Sequence, residues 1–95
     1  MNRKELYDFA KTLNQEGASV GALIQAIDEA HHQLVFSSQR LSALAAGASK
    51  SAVGYGVEQA LTSTVHDYNV AAAKLNTLFL TLAVVLEQQG HKVEY

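Results

Sequence analysis

From Val57 to Leu86 the apolar residues fall into two rows. Leu61, Val65, Tyr68, Ala72, Leu75, Phe79, Leu82 and Leu86 follow one another at alternating steps of four and three, the seam of a helix repeating every 3.5 residues. Val57, Thr64, Ala71, Leu78 and Val85 make a second row at sevenfold spacing, one position before the first. Together they form a stripe wider than a two-stranded coiled coil needs. The stripe predicts a long helix that earlier chain or another molecule must cover.

The first half carries a similar seam. Asn2 followed by Glu5 reads as a capping box. After it, Leu6, Leu13, Val20, Ile27, Leu34 and Leu41 recur every seven residues, with Phe9, Glu16, Leu23, Ala30, Ser37 and Leu44 three residues after each. The unbroken phase predicts one long helix from about residue 3 to 47, kinked near Gly17. A break at Asn14–Gly21 with Ser19 capping a second helix is the alternative, because Gly17 and Gly21 each cost a helix interior about 1 kcal/mol.

The boundary between the halves is Ala45–Gly56. Gly47 is the expected terminator of the first helix, and Ser49 or Ser51 the expected cap of the next. The predicted elements are a helix over 3–47, a turn over 48–52, a helix over 53–89 ending at Gly90, and a short mobile tail over 90–95. No segment alternates long enough to be a strand, and the absence of Pro favours helix throughout. The expected fold is all-α: one domain, a long antiparallel helical hairpin with position i facing about position 100 − i, paired with further helices into a four-helix bundle. A two-helix hairpin has little interior, so its surplus stripe implies a partner.

Composition narrows the function. The chain has 95 residues, 48% hydrophobic and 17% charged, a net charge of −2 and no Cys. Its Lys and Arg are scattered singly, so no basic face for nucleic acid forms. The longest charge-free apolar run near the end, Leu75–Leu86, falls short of the roughly twenty residues of a bilayer span. A longer stretch, Val70–Leu86, includes Lys74 and Asn76. No integral membrane segment is expected. The start, MNRKELYDF, lacks the apolar core of a cleavable signal peptide, so the chain is expected in the cytoplasm or exported without one.

Candidate chemistry is thin. His31, His32 and His66 come level under the hairpin register, near Asp28 and Asp67, which suggests a metal site or a pH-sensitive contact. However, His32 and His66 project away from the seam, and no helix carries two ligands at His-x-x-x-His or Glu-x-x-His spacing, so surface histidines are the expectation. Ser37, Ser38, Ser49, Ser51 and Thr64 stand beside no base, and Lys50 lacks a phosphate-loop frame. No catalytic residue, metal or cofactor is expected, and the chain reads as a non-enzyme. Glu16 on the seam is either a charge snorkelling to solvent or a partner-selecting residue. Tyr55, between Gly54 and Gly56, is either a staple closing the bundle end or a docking residue.

A proline-free chain of this length with two long helices and the turn Val53-Gly54-Tyr55-Gly56 resembles the WXG-hundred, or early-secreted-antigen-like, family. The family's turn is Trp-x-Gly, and Gly54, Tyr55 and Gly56 take its place here. The resemblance implies a small helical protein of type VII secretion that pairs side by side with itself or with the helical domain of a larger toxin. The family's export signal, an aromatic followed four residues later by an acid, has no counterpart in His91-Lys92-Val93-Glu94-Tyr95, which favours an escort over a secreted substrate. An immunity protein binding a cognate toxin and a helical filament subunit are the alternatives. The residues expected to meet the partner are Val57, Leu61, Thr64, Tyr68, Leu75, Leu78, Phe79, Leu82 and Val85, whereas an immunity protein would bind through an acidic or otherwise specialised face.

Overall fold

The computed structural model describes residues 1–13, 18–50 and 55–95. Among the described residues are three helices and no strand: α1 (Arg3–Thr12), α2 (Ala18–Lys50) and α3 (Tyr55–Gln88). The all-α class holds.

The one helix expected over 3–47 is instead two. α1 opens on the capping box: the Glu5 N–H donates to Asn2 Oδ1 at 2.8 Å, and the Asn2 N–H to Glu5 Oε1 at 3.4 Å. It closes at Leu13, whose N–H donates to the Ala10 carbonyl at 3.1 Å, while the Thr12 hydroxyl takes the Phe9 carbonyl at 2.6 Å. Seam phase carries across this break because α1 and α2 face the same core, and each must present its own apolar row to it. Folding back is what lets α1 bury anything. Ten residues are too few for a stable helix in water alone, and docking puts Leu6 and Ala10 at 0% exposure. Glu16 and Gly17, where the kink is expected, lie outside the described residues.

α2 runs through Gly47 to Lys50, so Gly47 is not its terminator; a single Gly costs a long packed helix only about 1 kcal/mol. Of the expected turn, Ser51, Val53 and Gly54 lie outside the described residues, and Tyr55 and Gly56 begin α3. α2 and α3 lie side by side in opposite directions. His32–Ser37 border the same groove as His66–Val70, and Ile27 and Leu34 border the same groove as Leu75 and Phe79. α1 runs antiparallel to the first half of α2 and parallel to the second half of α3. The Tyr7 hydroxyl donates to Asp28 at 2.7 Å, Arg3 Nη2 donates to Asn76 at 3.2 Å, and the Arg3 guanidinium lies 5.2 Å from the centre of the Phe79 ring.

The architecture is therefore a three-helix bundle at one end, continued by a two-helix stalk, spanning 57 × 22 × 17 Å. The core sits almost wholly in the bundle: Leu6, Ala10, Val20, Ile24, Ile27, Ala30, Leu75, Phe79, Leu82, Ala83, Leu86 and Val93. In the stalk, only small or polar side chains are buried among the described residues: Ser37, Thr64 and, at its base, Ala71. Thr64 satisfies its hydroxyl on the Ala60 carbonyl at 2.7 Å.

The end of α3 follows from Gly90. Its φ of 91° lies in the left-handed region, its N–H donates to the Glu87 carbonyl at 3.0 Å, and the His91 N–H reaches the Leu86 carbonyl at 3.0 Å. This is the paired-bond stop that favours Gly just past a helix. The tail expected to be mobile is instead packed against α1. Val93 is in the core, His91 meets Phe9 edge-on at 5.5 Å, Arg3 Nε donates to the Tyr95 hydroxyl at 3.3 Å, and the N-terminal amine donates to the Glu94 carbonyl. Gly90→Ala meets no atom within 4 Å, so its cost is backbone strain alone. Chemical denaturation is expected to show a loss of about 1 kcal/mol.

Candidate docking surface

The α3 seam row changes character along its length. Where α1 lies on it, Leu75, Phe79, Leu82 and Leu86 are 7% exposed or less. Where α1 stops, the same row continues as Ala72, Tyr68 and Leu61, each half-buried, and Val65, 44% exposed. On α2 the facing wall behaves alike. Asp28 bonds α1, and one heptad further on Val35 is 41% exposed beside half-buried Leu34 and Leu41. One apolar track thus runs the length of the α2–α3 pair, with α1 filling about half of it.

The elongated molecule exposes a large area for its mass. A compact protein of 10.2 kDa exposes about 5,300 Å²; this chain exposes 6307 Å². The surplus, about 1,000 Å², is comparable to the roughly 800 Å² that each partner contributes to a standard protein interface.

Of the residues expected to meet a partner, Thr64, Leu75, Phe79 and Leu82 are buried within the chain, Leu78 and Val85 are half-buried against its core, and Val57, Leu61 and Tyr68 are half-buried in the stalk. The reachable part of the stripe is therefore its stalk portion. Sequence reasoning passed over Val35, Phe36 and Val70, which are 41%, 60% and 53% exposed. It also passed over a separate outer row on α3, where Leu80 and Val84 are about half exposed and share heptad spacing with Val70, Ala73 and Thr77. The signal was present: this row repeats at steps of three and four, on the side of α3 away from the seam. By length and composition alone, α3 over Gly56–Gln88 is also long and apolar enough to cross a membrane.

His32 and His66 do border one groove, together with Gln33, Phe36, Ser37, Asp67 and Val70. His31 lies on the other groove, with Arg3, Lys4, Tyr7, Asp28, Leu34, Leu75 and Phe79. Among the described residues, no three His, Cys, Asp or Glu side chains are grouped to hold a metal ion.

Tyr7 titrates outside the ordinary tyrosine range. Donating to Asp28, and partly desolvated, its hydroxyl is held above the ordinary tyrosine range. The protonated form is favoured in the folded chain, so this contribution is full below the ordinary value near 10 and is lost as pH rises through the raised one. Tyr7→Phe is expected to cost about 0.5–1 kcal/mol at neutral pH. The difference from the parent, followed by denaturation at several pH values, should shrink as the pH rises past the ordinary tyrosine value of 10.0.

No protein-family model, curated protein or solved structure matches this chain.

Proposed function

We propose that this chain is a helical protein–protein interaction protein without catalytic activity. It acts as an escort or partner in the manner of the small type VII secretion proteins and pairs with the helical domain of a larger toxin or with a second copy. The observation that carries this reading is the half-open apolar track: a seam buried in one half of α3 and only partly covered in the other, on a chain with about 1,000 Å² of area beyond a compact protein of its mass. Helices added along the stalk would complete there a bundle of the kind that α1 completes at the other end. Half-buried Ala72, a small side chain in the stalk seam, suits the close approach of a further helix.

The test is co-expression with the product of each neighbouring gene, read as the mass of the purified species by light scattering. The reading expects a complex of defined stoichiometry, or a self-paired dimer. A chain that remains a 10.2 kDa monomer at high micromolar concentration, alone and with every neighbour, contradicts it.

A further inference from the structure

α1 shows what the track accepts. It is a three-turn helix that buries Leu6 and Ala10, four residues apart, with Tyr7, Phe9 and Leu13 packed at its flanks. The track does not end with it. Leu75 and Phe79 beneath the start of α1 pass in unbroken heptad phase into Ala72, Tyr68, Val65 and Leu61, and Ile27 and Asp28 on α2 pass into Leu34 and Val35. The open section from Ala72 to Leu61 is about 17 Å long at the rise of a helix, close to the roughly 15 Å of α1.

The junction between the filled and open sections has a charge of its own. Arg3, Lys4 and His31 border it over an apolar floor of Ile27, Leu34, Leu75 and Phe79. Asp28 keeps its negative charge while it accepts from the Tyr7 hydroxyl, and the Arg3 guanidinium lies over Phe79. With two cations against one acid, a chain end or side chain reaching this junction from the stalk meets a net positive charge, with Lys4 as its reachable cation.

Resting on the reading of the chain as a partner-binding protein, we infer that the open section docks one short amphipathic helix of another protein. That helix lies end-to-end with α1 and in the same direction. It presents a large and a small apolar residue four positions apart to Val35, Leu61, Val65 and Tyr68, and it carries acidic residues at its C-terminal end, facing Arg3 and Lys4. Two observations select this occupant: the track is continuous with the interface that already holds α1, and the charge at the junction is cationic.

The probe is a stapled, fluorescently labelled helical peptide of about twelve residues, with Leu and Ala at the spacing of Leu6 and Ala10 and two Glu at its C-terminal end. It is titrated with the full chain. Saturable micromolar binding is expected, weakened about tenfold or more by Val65→Glu and about threefold by Lys4→Glu or by replacing the peptide's two Glu with Lys. Val84→Glu, on the outer row of α3, should leave binding unchanged. Both Val65 and Val84 are about half exposed, and unchanged circular dichroism of each variant checks the fold. No saturation at millimolar peptide overturns the inference, as does equal binding to the Val65→Glu chain. A wild-type dimer that Val65→Glu dissociates also overturns it, by assigning the groove to a second copy. A complex with a neighbouring gene product that ignores Val65→Glu sinks the inference and leaves the proposed function standing. The absence of any complex, beside tight peptide binding, sinks the proposed function alone.

Discussion

Leu82→Ala is expected to lower the unfolding free energy by about 3–4 kcal/mol, and the melting temperature by roughly 15 °C or more. Leu82 is fully buried in the core to which all three helices contribute. Truncation there removes about three methylene equivalents and leaves a cavity that three fixed helices cannot collapse around. Val65→Ala, on the same seam row but 44% exposed in the stalk, is expected to change stability by no more than about 0.5 kcal/mol. Urea denaturation of the two variants makes the comparison. Equal costs would mean that the core is not concentrated in the bundle end.

Leu6→Asp is expected to undock α1. Leu6 is fully buried against α2 and α3, and an ionised carboxylate placed there has no partner, a penalty of several kcal/mol that a ten-residue helix cannot absorb. Undocked, α1 is too short to stay helical, so mean helicity should fall by about a tenth while α2 and α3 keep their mutual interface. The freed surface of Leu75, Phe79, Leu82 and Leu86 should then drive association, visible as concentration-dependent mass in sedimentation. A variant with unchanged helicity and unchanged mass would show that α1 contributes little to covering the track.

The helical class was legible because period and composition agree: proline-free heptad rows leave no other regular structure. The caps at Asn2–Glu5 and Gly90 were legible for the same local reason, since each depends on residue types within a few positions. The break after Thr12 was legible only as the alternative to one kinked helix, from the glycines at 17 and 21, and the seam argued against it. A shared heptad phase records which core a row faces, and α1 folded back faces the core it would have faced had it continued into α2. The packed tail was missed because its contacts, His91 with Phe9, Glu94 with Met1 and Tyr95 with Arg3, join residues more than eighty positions apart in the chain and have no local signature. The docking surface was half legible. The row Leu61–Leu86 marked the right face of α3, yet only tertiary structure tells that α1 takes Leu75, Phe79, Leu82 and Leu86 and leaves Leu61, Val65 and Tyr68. The outer row at Val70, Leu80 and Val84 lay in the same spacing and was eclipsed by the stronger seam.

These elements make one molecule with an uneven interior: a packed bundle around Leu6, Leu82 and Leu86, and a stalk whose inner surface buries Ser37 and Thr64 but leaves Val35 and Val65 near 40% exposed. Such a stalk is drawn from the low-stability end of the structure, as binding elements commonly are.

Hydrogen exchange of backbone amides along α3, measured by mass spectrometry on the dilute full-length chain, tests this most directly. Amides of residues 75–86, under α1, should exchange about a hundredfold more slowly than those of residues 57–68 in the open stalk, with the gap narrowing when a partner is added. Uniform protection from 57 to 86 in the dilute chain would mean that the stalk track is already covered, and the half-open groove would not exist.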